Sequence, residues 1–118
     1  MLNNLKTITK VDKGLLLRHI SGFSEQCQDA VDIAKACSNF SKPKRVQNIV
    51  ILGMGGSAIS GDLLRTLFIN ESPLPIIVNR NYTLPHFVNE KSLVFAISYS
   101  GNTEETLTSF KEVLKRKS

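Results

Sequence analysis

Apolar residues recur along this chain with two different periods. From Phe23 they fall at Phe23, Cys27, Ala30, Val31, Ala34 and Cys37, the spacing of one helical face, with Ser21 or Ser24 available as N-cap. A shorter helix is expected over 11–20 (VDKGLLLRHI), weakened by Gly14. Pro43, within SKPKR, rules out helix continuation. The pattern then changes. NIVIL (48–52) is a continuous apolar run rich in β-branched residues, the mark of a strand covered on both faces. PIIVN (75–79) and LVFAIS (93–98) predict two further strands. Between the first two, AISGDLLRTLFI brings Ile59, Leu63, Leu64 and Leu67 onto one helical stripe. RNYTLPHFVNEKS reads as a turn holding at most one loose helical turn. From Thr103 the positions Leu107, Phe110 and Leu114 predict a last helix, with Asn102 and Glu105 spaced as a capping pair.

Strands apolar throughout, alternating with helices, imply an α/β fold: a doubly wound parallel sheet flanked by helices. The chain stops one helix after its third strand, where such a sheet usually continues. The expectation is therefore an incomplete domain, a piece of a longer protein, preceded by a helical N-terminal segment over 1–42.

Composition narrows the classes. With 118 residues, 42% hydrophobic and 21% charged, the chain has room for one domain with a real core and is not of disordered composition. No run of 18 apolar residues exists and the N-terminus lacks a signal-like apolar core, so a soluble cytoplasmic protein without a membrane partner is expected. Cys27 and Cys37, on one predicted helix, lie ~15 Å apart, beyond disulfide reach; they are expected to pack in the core and match no metal-ligand spacing. The net charge of +5 is concentrated in Lys42, Lys44 and Arg45, and in Lys111, Lys115, Arg116 and Lys117. The second group suits a helix C-terminus, and no aromatic residues are interleaved with it, so nucleic acid is not an expected partner.

The candidate chemistry lies in two turns, each following a predicted strand and hence on the sheet edge where open α/β folds bind ligands. The first is Gly53-Met54-Gly55-Gly56-Ser57-Ala58, whose glycines let backbone N–H groups approach an anion at the start of a helix. The second is Ser98-Tyr99-Ser100-Gly101-Asn102-Thr103, with three hydroxyls able to converge on phosphate oxygens. Each has a plainer reading, as a tight βα turn and as a set of helix caps. Gly53, Gly55 and Ala58 also fit the dinucleotide fingerprint, but no acid stands near Val78-Asn79-Arg80 to hold a ribose. Arg80 keeps an NADP reading open, at the cost of leaving the serine turn without a role. A phosphorylated sugar uses both turns.

The serine turn, followed by Glu104, Glu105 and Thr106, resembles the phosphosugar motif of sugar isomerase (SIS) domains. GMGGSAISGDLL, NYTLP and SYSGNTEETL together resemble, more narrowly, the bifunctional phosphoglucose/phosphomannose isomerase family over residues 20–115. The resemblance implies two-domain enzymes that act as dimers, without metal or organic cofactor. They interconvert glucose 6-phosphate, and mannose 6-phosphate, with fructose 6-phosphate. It implies that 1–118 is the N-terminal part of a SIS domain. Gly55, Gly56 and Ser57 would then meet the sugar, and Ser98, Ser100 and Thr103 its phosphate. Ser60 and Asn81 depart from the family pattern, which often has glycine and an acid there. The catalytic glutamate, histidine, lysine and arginine of the family lie later in the chain. Glu104 and Glu105, at a helix start, His19, and His86 in a loop do not replace them, so no catalytic residue is assigned. A non-catalytic phosphosugar-sensing SIS module is the alternative from another class.

Overall fold

A computed structural model describes residues 4–38, 43 and 45–118. Lys42, Lys44 and most of SKPKR lie outside the described residues. The chain divides into two units, Met1–Ser41 and Lys42–Ser118.

The first unit holds helices α1 (Leu5–Val11), α2 (Leu16–Ser21) and α3 (Phe23–Ala36). The single helix expected over 11–20 is instead the end of α1 and a separate α2. Asp12 is the reason: its carboxylate accepts the N–H groups of Leu16 at 2.8 Å and Leu17 at 2.9 Å, starting a new helix just past Gly14. α3 begins as its periodicity predicts, but Gly22 is its N-cap and makes no side-chain cap bond. The Ser21 hydroxyl donates back to the carbonyl of Leu17 and is not free for that task. None of the three helices buries a residue, and Cys27 and Cys37 are exposed free thiols, not the core packers expected. Among the described residues of this unit, α2 and α3 are the helices that pack on each other, which gives the apolar face of α3 little to bury against within it.

The second unit is the α/β part. Strands β1 (Asn48–Leu52), β2 (Ile76–Asn79) and β3 (Ser92–Ala96) form a parallel sheet in the order β2-β1-β3, with α4 (Gly55–Leu67) and α5 (Glu104–Arg116). The central strand is the continuous apolar run: Val50, Ile51 and Leu52 are all buried. Side chains alternate across a strand, and the two faces meet different partners. Val50 and Leu52 cluster with Leu84, Val88 and α5's Val113. Ile51 faces the other side, against Gly61 of α4. The sheet is doubly wound, as its sequence alternation implies.

Both helices, however, turn a different face to the sheet than their large apolar residues predict. Ile59, Leu63 and Leu67 are exposed, and Ala58 and Gly61 are the buried residues of α4. A Cβ at Gly61 would lie 3.0 Å from Ile51 Cγ2 and 3.1 Å from Val78 Cγ2, so close helix–sheet approach selects the small residues. On α5 the buried face is Thr106, Ser109 and Val113, while Phe110 and Leu114 are exposed.

The connection 80–91 contains turns and no helix. It is tied to α5 at several points. Arg116 donates to the carbonyls of Pro85 and Val88 and pairs with Glu112, whose carboxylate accepts the N–H of Leu84. The hydrogen bond from Arg116, then that from Leu84, holds the Glu112 carboxyl below its ordinary range.

Candidate functional site

Register decides where the two unusual turns meet. Leu52, the last residue of β1, is paired with Ala96, the last residue of β3. The Ile97 N–H still donates to the Leu52 carbonyl at 2.8 Å, although the third strand ends two residues earlier than LVFAIS predicts. Residues 53 and 97 therefore leave the sheet side by side. Because β2 lies on one flank of β1 and β3 on the other, the strand order reverses between β1 and β3, and the carboxyl edge there is the crevice of open α/β sheets.

Gly53 is buried between the turns. A Cβ on it would meet the N of Ala58, the C of Ser57 and the carbonyl oxygen of Ile97, each at 3.3 Å. All three are backbone atoms and cannot rotate away. Gly53→Ala is expected to push the turns apart, costing about 1–3 kcal/mol by overpacking and weakening any ligand held between them. Urea unfolding with a parallel binding titration checks this. Stability equal to that of the parent would contradict it.

On the first turn, α4 starts at Gly55, with Met54 as an N-cap that makes no side-chain bond. The N–H groups of Gly55 and Gly56 belong to the helix's first turn, where helical acceptors are lacking. On the second turn the three hydroxyls converge: Ser98 Oγ lies 3.0 Å and Ser100 Oγ 3.3 Å from Thr103 Oγ1. The start of α5 differs from the expected Asn102/Glu105 pair. Its N-cap is Thr103, again with no side-chain cap bond, because the threonine hydroxyl is turned to the two serines. The N–H of Asn102 meanwhile donates to Ser100 Oγ. One bond links the two turns directly, from the Tyr99 N–H to Ser57 Oγ at 3.3 Å.

Between the turns lies an open cleft of about 730 Å³, bounded by Gly56 and Ser57 on one side and by Ser98, Ser100 and Thr103 on the other. All the residues the sequence singled out for phosphosugar contact are thus at one place, Gly55 being next to the lining at the helix start. Ser60, which departs from the family pattern, also lines it, with its hydroxyl donating to the Ser57 carbonyl. Its position one turn after Ser57 was the available signal in the sequence. Two helix N-termini and several hydroxyls at one crevice suit a dianion.

The remaining candidates fall elsewhere. Arg80, the group that kept NADP open, is paired with Asp62. Glu104 and Glu105 stand in the first turn of α5, and Tyr82 reaches Glu104 Oε2 at 3.5 Å. Partial desolvation first, then the negative charge of Glu104 and Glu105, raises the Tyr82 hydroxyl above its ordinary pKa. His19 lies on α2, and His86 is exposed in the 80–91 connection. Among the described residues no carboxylate or imidazole lines the cleft, no group of three metal-ligating side chains occurs, and no helix is long and apolar enough to cross a membrane.

The chain is 44% identical over 97 residues to a bifunctional phosphoglucose/phosphomannose isomerase of Caldicellulosiruptor bescii, covering 82% of this chain and 29% of that protein. It is 43% identical over 98 residues to one of Aquifex aeolicus, covering 82% and 28%. It is also 40% identical over 68 residues to a D-glucosamine-6-phosphate 4-epimerase of Sulfolobus acidocaldarius, covering 58% and 21%. The chain thus spans less than a third of the length of these relatives. No solved structure matches it at a significant level. The SIS domain model matches residues 44–118, which takes in the whole sheet and both turns, and on that match the chain belongs to the SIS domain family.

Proposed function

We propose that this chain is the phosphosugar-binding part of an aldose–ketose isomerase acting between glucose 6-phosphate, or mannose 6-phosphate, and fructose 6-phosphate. The observation that carries the reading is the convergence of Ser98, Ser100 and Thr103 beside the glycine turn at the sheet's switch point. In this reading the phosphate takes hydrogen bonds from the three hydroxyls and from the first N–H groups of α5, while Gly55, Gly56 and Ser57 meet the sugar. The names of the C. bescii and A. aeolicus relatives support the isomerase. The epimerase name of the S. acidocaldarius relative supports a sugar phosphate as the ligand class. The helices lying between Leu5 and Ala36 precede the binding part in the chain, and the whole enzyme works in the cytoplasm as a homodimer.

The test is a titration of the chain with fructose 6-phosphate, sulfate and NADPH, followed by amide chemical shifts. Fructose 6-phosphate is expected to move Gly55–Ser57 and Ser98–Thr103 together, and sulfate mainly the second group. Shifts at both turns with NADPH alone would sink the proposal.

A further inference from the structure

We propose that the exposed ring of Tyr99, with Met54 and Ile97 lining the same cleft, receives the C–H face of the sugar ring while the neighbouring hydroxyls hold its phosphate. The inference rests on the proposed function and assigns the part of the cleft that function leaves unused. Besides its hydroxyl and glycine positions, the cleft is lined by three apolar side chains, those of Met54, Ile97 and Tyr99. Tyr99 is 102% exposed and Ile97 is 36% exposed. Scattered single apolar residues on a surface need no explanation, but three lining the same cleft, one from the glycine turn and two from the serine turn, offer a ligand apolar surface beside the hydroxyls.

The position of Tyr99 makes it specific. Its two neighbours, Ser98 and Ser100, supply hydroxyls to the phosphate end of the cleft, and its own N–H is fixed to Ser57 Oγ on the facing turn. The ring therefore starts within one residue, ~3.8 Å of backbone, of the groups that hold the phosphate. A hexose carries its hydroxyls on its edges and apolar C–H groups on its faces. An aromatic ring with one polar tip matches that division, giving contact area at small entropic cost. Inorganic phosphate has no such face. Tyr99 thus sets the preference for a phosphosugar over free phosphate, and the ring rather than its hydroxyl is the contact.

The full chain has two tyrosines and no tryptophan, so the Tyr99 ring protons are assignable once Tyr82→Phe removes the other set. Fructose 6-phosphate and inorganic phosphate are titrated into the parent, Tyr99→Ala and Tyr99→Phe. Tyr99→Ala is expected to lose roughly three- to tenfold in affinity for the sugar phosphate and to keep its phosphate affinity, whereas Tyr99→Phe matches the parent. Nuclear Overhauser contacts should join the Tyr99 ring to sugar C–H protons. Unchanged fructose 6-phosphate binding in Tyr99→Ala, equal weakening of both ligands, or absence of those contacts would overturn the inference. A parent that binds phosphate and fructose 6-phosphate equally well would do so too, while leaving the hydroxyl site standing. A parent that binds neither at the two turns refutes the proposed function itself.

Discussion

Thr103→Ala is expected to weaken fructose 6-phosphate binding by roughly 10–100-fold, the loss of one hydrogen bond to a charged group at about 1.5–3 kcal/mol. Thr103 is the node of the site, its hydroxyl lying within hydrogen-bond distance of both serines. Removing it deletes one donor of the proposed phosphate site and frees Ser98 and Ser100 to rotate. The same change should cost the fold little. A threonine at a helix start ordinarily caps it, and losing such a cap costs about 1 kcal/mol. Here the hydroxyl makes no cap bond to α5. Thr103→Ser retains the hydroxyl and should bind within a few-fold of the parent. Isothermal titration beside urea unfolding separates the two quantities. Parent-like binding by Thr103→Ala would remove the hydroxyl cluster from the proposed phosphate site.

Turnover is expected to be absent from these 118 residues while binding is present. Moving a proton between C1 and C2 of a hexose phosphate needs a base and an acid at those carbons, a contribution of typically 10²–10⁴-fold. The cleft offers hydroxyls, backbone N–H groups and apolar side chains, none of which is a base at neutral pH. Glu104 and Glu105 lie in the first turn of α5 and do not line the cleft, and Glu104 is engaged with Tyr82. A coupled assay for glucose 6-phosphate formation from fructose 6-phosphate, run at saturating substrate, checks this. Robust turnover lost in Glu104→Gln or His86→Ala would place the chemistry inside this chain after all.

Much of this protein was legible in its sequence because short-range rules sufficed. NIVIL reads as a central strand since a run with no polar alternation cannot sit half in water. The periodicity from Phe23 located α3 to within one residue, Cys37 being its C-cap. The glycine and serine turns announced themselves by composition alone, since anion binding uses backbone N–H groups and hydroxyls wherever they occur.

Other features needed the tertiary structure. Leucine spacing located α4 but pointed to the wrong side of it, because distance to the sheet, not residue size, selected Ala58 and Gly61 as the contact. α5 repeats the case with Thr106 and Ser109. The capping pair at Asn102 and Glu105 gave way to Thr103, whose hydroxyl serves a cluster that spans the six residues from Ser98 to Thr103 and that no spacing rule describes. Above all, the meeting of the two turns was not a local property. They are some 40 residues apart in the chain and become neighbours because β3 pairs with β1, with Ala96 opposite Leu52. A slip of one residue in that register would reverse which side chains face the core and carry Ser98 away from Ser57, so burial of Val50 and Leu52 on one face and Ile51 on the other is what holds the site together.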